Sequence, residues 1–208
     1  MKALKVRFGS EHLPSELVRP DELEVQKVLA HLPSGPENAR VFWCWDFVCT
    51  SIKYPFDAKG RPTDRHVLAA FLTTDIPFLG ASYRVTRINE EFWQLPSETI
   101  AWGYGDCDDT AILLCSLLRN FIPPERVSVV VGRAGRWEHA WVQVDDKILE
   151  TTLTAASLHS HSSSQNDYRP EWRFNDKMIS GDVILRPRGD ERGKGKWIQA
   201  CWHYPAKL

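Results

Sequence analysis

The sequence predicts an α+β fold with helices first, one buried helix in the middle and an antiparallel sheet after it. Three observations support this order. The first third of the chain has apolar residues at helical spacing, a central segment is apolar on almost every side, and the segments after it alternate as strands do. We expect one domain over residues 1–208: a mainly helical lead-in to residue 92, a core over 93–152, and a variable loop with closing strands over 153–208.

The lead-in is predicted to contain three helices. Residues 22–32 have apolar side chains at helical spacing and follow Pro20. A second helix is predicted from apolar residues four, three and four positions apart, with Pro55 ending it: Val41, Trp45, Val48 and Ile52. Residues 64–72, "DRHVLAAFL", form the third predicted helix.

The core is predicted to be a buried helix followed by strands. After Asp108 the chain reads "DTAILLCSLLRNFIPPE", whose apolar residues surround nearly the whole circumference of a helix, so the helix is buried. The β-branched run "RVSVVVG" predicts an interior strand. "RWEHAWVQV" and "ILETTL", separated by "DDK", predict a β-hairpin.

The C-terminal part is less regular. Residues 155–166 are rich in Ser and His and aperiodic, which predicts a loop or insertion. "YRPEWRFND" is interpreted from its aromatic content as a lid that lines a cleft with Tyr168 and Trp172. "DVILR" and "KWIQACWHY" are predicted to be the closing strands.

Composition excludes several classes of function and location. A formal net charge of −1 argues against a general attraction to nucleic acid or to an anionic membrane surface, and no segment is long and apolar enough to span a bilayer. Five cysteines at irregular spacings do not form a disulfide framework. With no signal peptide visible, these features predict a cytoplasmic protein. A removed signal peptide would leave the same pattern, so a periplasmic or secreted protein stays open.

The candidate nucleophile is Cys107 in "GYGDCDDTA", at the predicted start of the buried helix. Helix N-termini favour a thiolate, but adjacent carboxylates oppose it, so a second positive group is needed. His139 is the candidate for that group. It lies between Trp137 and Trp141, which strand alternation places on its own face as an apolar wall. Glu150, on the second hairpin strand, is the candidate to orient the imidazole.

Other residues near Cys107 are assigned to the oxyanion and the cleft. The backbone N–H of Cys107 is the first expected oxyanion donor, and the second is either the indole of Trp102 or the amide of Gln94. Gly105 is expected to let the loop turn tightly and let a substrate backbone approach. Trp141 is expected to line the cleft.

"FWQLPSETIAWGYGDCDDTAILLCSLLRN", "EHAWVQV" and "ILETT" together resemble the transglutaminase-like superfamily. The pattern W-x-x-P-x-E-T…G-x-G-D-C-[ED]-D is similar to that of the bacterial transglutaminase-like cysteine proteinases. The resemblance covers residues 93–152. It implies a papain-like fold and a Cys-His-Asp triad, in which Cys107 and His139 match the nucleophile and base. Glu150 stands where the family has aspartate, and its side chain is one methylene longer.

The resemblance also implies a metal and a substrate. Asp106 and Asp108 match positions at which the proteinase group binds calcium, and carboxylate oxygens suit that ion. Simple capping of the helix by Asp108 or Asp109 is the alternative. The implied activity is hydrolysis of a protein or peptide amide through a thioester, with no required cofactor. Transfer to an amine, and a non-catalytic domain that binds a protein or peptide, are the alternatives.

Overall fold

A buried helix packed against an antiparallel sheet organises the fold. A computed structural model describes residues 4–7, 10–54, 92–135, 137–152, 160–162 and 168–181. Its helices are α1 (Leu23–Leu29), α2 (Glu37–Ser51), α3 (Pro96–Trp102) and α4 (Cys107–Leu118), and a short 3₁₀ turn covers Pro14–Glu16. Its strands are β1 (Leu4–Arg7), β2 (Ser10–His12), β3 (Val127–Ala134), β4 (Trp137–Val144), β5 (Lys147–Leu149), β6 (Ser160–Ser162), β7 (Tyr168–Phe174) and β8 (Ile179–Gly181).

Among the described residues, six strands form the main sheet in the order β6-β5-β4-β3-β7-β8, and every neighbouring pair is antiparallel. A two-residue turn, Asp145 and Asp146, joins β4 to β5. Strand β3 lies between β4 and β7, as the β-branched run predicted. Its residues 127–130 are all buried, because both faces of the sheet are covered there.

Helix α4 is buried along its whole length, which confirms the prediction made from its apolar circumference. Its side chains share one hydrophobic core with α2 and with one face of the sheet, including Trp45, Val129, Val142 and Phe174. A second cluster lies on the residues that alternate with that face: Val130, Ala134, Trp141, Ile148 and Tyr168. The α+β class with a cysteine-bearing central helix is therefore confirmed.

Two predictions about the C-terminal part are wrong. Residues 160–162 lie inside the predicted loop, but they pair with β5, since backbone pairing does not require an alternating apolar pattern. The predicted lid is strand β7, which pairs with β3 and β8. Trp172 and Phe174 are buried in the main core. Tyr168, on the other side of a register shift opposite Val131 and Gly132, is buried in the second cluster.

Several predictions lie outside the described residues: the helix at 64–72, the closing strands "DVILR" and "KWIQACWHY", and the remainder of the serine-rich segment. Within the part of the chain that the structure describes, no helix has the length and apolar character needed to cross a membrane.

Candidate active site

Cys107 is the first residue of α4. The chain enters the helix through Asp106 in an extended conformation, and Cys107 is 7% exposed and takes part in no disulfide. Sγ therefore lies at the end of the helix where unpaired N–H groups concentrate positive charge. This position favours the ionised form of a thiol.

The buried carboxylate of Asp109 fixes the loop that precedes Cys107. Its Oδ1 accepts a hydrogen bond from the backbone N–H of Gln94 at 2.7 Å. Its Oδ2 accepts from Gln94 Nε2 at 2.7 Å and from the backbone N–H of Asp106 at 3.2 Å. Asp109 thus caps the helix and holds the chain segment ahead of α3, which is one of the two roles that the sequence left open for the acidic residues.

Gly105 is required by its closeness to that carboxylate. A Cβ at this position would lie 2.8 Å from the Cβ of Asp109 and 3.2 Å from Cγ2 of Thr99. The loop is also bound to the end of α2: Lys53 N–H donates to the Gly103 carbonyl at 2.8 Å, and Gly105 N–H donates to the Lys53 carbonyl at 3.1 Å. The backbone before Cys107 is therefore held on both sides.

His139 lies in β4 with 3% of its surface exposed. Its ring stacks on Trp141 at a centroid distance of 6.2 Å, so an indole forms one wall of its site. Nε2 lies 2.7 Å from Glu150 Oε2. An ionised carboxylate only accepts hydrogen bonds, so Nε2 carries the hydrogen and Nδ1 is the nitrogen left to bond with the side chain of Cys107.

The charges of these groups reinforce one another. Burial alone would lower the pKa of His139, but the Glu150 charge and the hydrogen bonds to Cys107 and Glu150 outweigh it and hold that pKa well above its usual value. Burial alone would raise the pKa of Glu150, whereas the His139 charge and the bonds from His139 and Thr152 bring it down to about 2. At neutral pH the pair is therefore an imidazolium and a carboxylate.

Glu150 follows the last residue of β5, and its carboxylate receives four hydrogen bonds. Oε2 accepts from His139 Nε2 and from Tyr168 OH at 2.9 Å. Oε1 accepts from Thr152 N–H at 3.1 Å and Thr152 Oγ1 at 2.8 Å. The carbonyl of Glu150 accepts from the indole of Trp45 at 2.7 Å, so helix α2 fixes the backbone behind the carboxylate.

Strand register explains how a glutamate reaches His139. In β4 and β5, Val142 pairs with Leu149 and Val144 with Lys147. Continued by one residue, this register places Glu150 opposite Trp141 and diagonal to His139. Diagonal neighbours are about 7–8 Å apart across a sheet, a distance that longer side chains can span.

The other described cysteines are in a different environment. Cys44, Cys49 and Cys115 are buried in the core, and burial raises the pKa of each thiol to about 12. With pKa values this high they remain protonated at neutral pH, and the Cys49 thiol donates to the carbonyl oxygen of Glu150 at 3.6 Å. Cys107 is the described cysteine that contacts a histidine.

The remaining predicted residues are found around this centre. Gln94 is fully buried, with one side-chain N–H used by Asp109, and its Oε1 has no hydrogen-bond partner among the described residues. Trp141 is buried against His139 and Tyr168. Trp102 is partly exposed at the end of α3. Carboxylate oxygens of Asp106 and Asp108 and Sγ of Cys107 all lie within 4.8 Å of one another.

Trp45 and Thr152 support the site and were not found from the sequence, and the contact of Tyr168 with Glu150 was not predicted. Trp45 was assigned only to a helical stripe, and its indole bond to the Glu150 carbonyl depends on how α2 packs. Tyr168 was predicted to belong to a lid that lines the cleft. It precedes the register shift between β7 and β3, so its strand lacks the regular alternation that would signal a strand. Its contact with Glu150 depends on the sheet order, which the sequence does not define.

The fold is similar to that of LapG from Legionella pneumophila. The EGTA-treated form aligns with a TM-score of 0.51 at 17% identity over 90% of this chain and 93% of that chain, and a second LapG structure aligns at 0.50 with 18% identity over the same shares. A calcium-bound form aligns at 0.39 with 18% identity over 78% and 92%. No family model matches the sequence, and no curated protein matches it. The likeness shows a transglutaminase-like fold.

Proposed function

We propose that this chain is a cysteine-dependent acyl-transfer enzyme of the transglutaminase-like superfamily, with Cys107 as nucleophile, His139 as general base and acid, and Glu150 as the orienting carboxylate. One observation carries the proposal. A thiol at the N-terminus of a buried helix is hydrogen bonded to a buried imidazole, whose other nitrogen bonds to a buried carboxylate at 2.7 Å. This is the arrangement of a nucleophile, a base and an orienting group.

The chemistry follows from these positions. The Cys107 thiolate attacks an amide carbonyl carbon, and a C–S bond forms. His139 gives its proton to the leaving amine as the C–N bond breaks, which leaves a thioester. Neutral His139 then takes a proton from water, the hydroxide attacks the thioester, and the C–S bond breaks to release the acid. Glu150 keeps the ring oriented and stabilises its charged form in both halves of the cycle.

The oxyanion needs two donors. The backbone N–H of Cys107 is at the free end of α4 and serves as the first. The second N–H of the Gln94 side chain and the indole of Trp102 are the two candidates for the other. If Gln94→Ala lowers kcat about 100-fold while Trp102→Phe keeps a kcat near that of the wild type, the second oxyanion donor is Gln94.

Alkylation tests the proposal without a known substrate. Iodoacetamide should modify Cys107 much faster than Cys44, Cys49 and Cys115, which serve as internal controls because burial raises their pKa values to about 12. His139→Ala should slow only the reaction at Cys107. Peptide mass spectrometry after timed quenching gives each rate. Equal, slow modification at all of these cysteines would reject the catalytic proposal.

We propose a protein or peptide as substrate and water as acceptor, on the resemblance of residues 93–152 to the bacterial cysteine proteinases. An amine acceptor would make the chain a transglutaminase. A peptide library assayed with and without a labelled primary amine separates new termini from amine incorporation. The non-catalytic alternative predicts that the Cys107→Ala variant still binds peptide. It also predicts that the wild type forms no thioester and shows no turnover.

Calcium is the metal that the resemblance implies, and the donor chemistry fits a hard cation in part. Asp106 and Asp108 offer two carboxylates within 4.8 Å, while the third group of the cluster, the Cys107 thiol, is not a calcium ligand. Asp106 and Asp108 would hold the ion, with backbone carbonyls and water completing its oxygen shell, and its charge would offset the carboxylates beside Cys107. Calcium should raise the melting temperature of the wild type and of Asp146→Ala, but not of Asp108→Ala. No shift in the wild type would reject the site.

Two further predictions accompany the function. We propose that residues 1–208 form one domain, which limited proteolysis would test by the absence of a stable smaller fragment. The cytoplasmic location stays a prediction that rests on the cysteine pattern, and cell fractionation with an antibody to the native protein would test it.

A further inference from the structure

The carboxylate of Glu150 has no unused hydrogen-bonding capacity. A carboxylate offers about four acceptor sites, and Glu150 receives four donors: His139 Nε2, Tyr168 OH, and the N–H and Oγ1 of Thr152. The two oxygens are used differently. Thr152 bonds only to Oε1, whereas Tyr168 bonds to Oε2, the same atom that accepts from His139.

Tyr168 reaches this oxygen from a different strand. It is the first residue of β7, and the sheet places β3 between β7 and the strand that carries His139. Its backbone partner in β3 is Ala134, and His139 is paired with Gly132, so small residues separate the two rings. The Tyr168 ring lies 6.4 Å from that of His139 and makes an edge contact with Trp141 at 5.1 Å.

The extra methylene of the Glu150 side chain explains why a hydrogen bond from Tyr168 is needed. Compared with aspartate, glutamate has one more rotatable bond, so its carboxylate can turn away from His139 unless something stops it. Thr152 fixes Oε1, and with that oxygen fixed, a donor on Oε2 determines which way the carboxylate plane faces. Tyr168 supplies this donor to Oε2 from strand β7, independently of β4 and of the segment that follows β5.

We propose that Tyr168 is a positioning residue, whose hydroxyl holds Glu150 Oε2 towards His139 and so allows a glutamate to occupy the orienting position of the triad. The inference rests on the proposed function. It assigns Tyr168 no contact with substrate. Its effect on the reaction passes entirely through the orientation of the Glu150 carboxylate.

The test is a double-mutant cycle on the rate at which iodoacetamide modifies Cys107. Tyr168→Phe keeps the ring and its contact with Trp141, and it should slow modification about three- to tenfold, the effect of one hydrogen bond worth roughly 1 kcal/mol. Glu150→Asp withdraws the carboxylate by one methylene and should slow it further. In the Glu150→Asp background, Tyr168→Phe should change the rate less than twofold, because the hydroxyl no longer reaches its acceptor.

Two variants serve as controls. Tyr104→Phe removes the hydroxyl of an exposed tyrosine and should leave the rate unchanged. Thr152→Val removes a donor from Oε1 and should slow modification in the Glu150 background, which provides a second measurement of the same carboxylate if Tyr168→Phe fails to fold. An equal effect of Tyr168→Phe in both backgrounds, or none in the first, would overturn the proposal.

A spectroscopic measurement keeps this inference separate from the proposed function. The Nε2–H proton of His139, hydrogen bonded to Glu150, should shift and broaden in Tyr168→Phe and stay in place in Tyr104→Phe. If Cys107 proves no more reactive than the buried cysteines, the enzyme proposal fails, but this resonance still reports whether Tyr168 orients Glu150. An unchanged resonance in Tyr168→Phe would overturn the positioning role alone.

Discussion

Replacing Asp109 by asparagine tests whether this carboxylate fixes the loop before Cys107. The change keeps the shape of the side chain and replaces one acceptor oxygen by an NH₂ donor. Asp109 is 2% exposed and accepts from three N–H groups: the backbone and side chain of Gln94, and the backbone of Asp106. No orientation of an asparagine amide can accept from all three.

The structure indicates which bond is lost. If the asparagine oxygen takes the place of Oδ1, it keeps the buried backbone N–H of Gln94. The Gln94 amide can then turn over, so that its Oε1 accepts from the new NH₂ group, and Oε1 has no other partner among the described residues. The partly buried N–H of Asp106 loses its acceptor and faces a donor. One unsatisfied donor and a weaker acceptor correspond to about 2–4 kcal/mol.

Urea unfolding of Asp109→Asn and of Asp146→Asn, an exposed substitution in the β4–β5 turn, measures this loss. We expect the first variant to lose about 2–4 kcal/mol with an unchanged m-value, and the second to stay within about 0.5 kcal/mol of the wild type. An Asp109→Asn protein as stable as the Asp146→Asn protein would refute the assignment of Asp109 as the group that fixes the loop.

Four further outcomes follow from the site. The fold lowers the pKa of Glu150 from 4.5 to about 2, so its ionised form contributes up to about 3 kcal/mol to the free energy of unfolding. This contribution is present above pH 4.5 and is lost as the pH falls towards 2. In urea unfolding at a series of pH values, Glu150→Gln should lack this loss of stability in acid. The fold raises the pKa of His139, so its protonated form contributes stability that is fully present below pH 6.5 and is lost as the pH rises through the raised pKa. This loss of stability at high pH should also disappear in Glu150→Gln. Gly105→Ala should destabilise by about 1–3 kcal/mol in thermal unfolding, since its Cβ would lie 2.8 Å from that of Asp109, and a wild-type melting temperature would contradict the close approach. Trp45→Phe should cost about 1–3 kcal/mol and slow alkylation of Cys107, because the Glu150 carbonyl loses its short bond from the indole and keeps only the weak one from the Cys49 thiol at 3.6 Å. An effect on stability alone would show that the indole bond does not influence the nucleophile.

The parts of the fold that the sequence predicted are those with strong local periodicity. An apolar circumference predicted the buried helix, and a β-branched run predicted the central strand β3. Residues 160–162 were missed, because three polar residues in a row show no apolar alternation and their pairing with β5 is a backbone feature. Strand β7 was misinterpreted as a lid from its aromatic content, because a register shift opposite Val131 and Gly132 interrupts the alternation of buried and exposed residues.

The candidate site was predictable where its chemistry is carried by short motifs. The sequence pointed to Cys107, His139 and Glu150, and the structure brings these side chains together. It pointed to Tyr168 only as part of a lid that lines the cleft, and it did not point to Trp45, which reaches Glu150 from helix α2, 105 positions away in the chain. Contacts of that kind depend on sheet order and helix packing, for which a single sequence contains no local signal.

The acidic residues around Cys107 oppose a thiolate to different extents. The charge of Asp109 is directed into three N–H donors and acts mainly on the loop. Asp106 and Asp108 differ, because their carboxylate oxygens lie within 4.8 Å of Sγ. An ionised Cys107 with these two groups would carry three negative charges, and the one positive charge on His139 is shared with the Glu150 carboxylate. Coulomb energy varies inversely with distance, so a bonded imidazolium outweighs either carboxylate singly but not clearly both. The helix N-terminus supplies part of the difference, worth roughly 0.3–2 kcal/mol, and a cation on Asp106 and Asp108 would supply the rest.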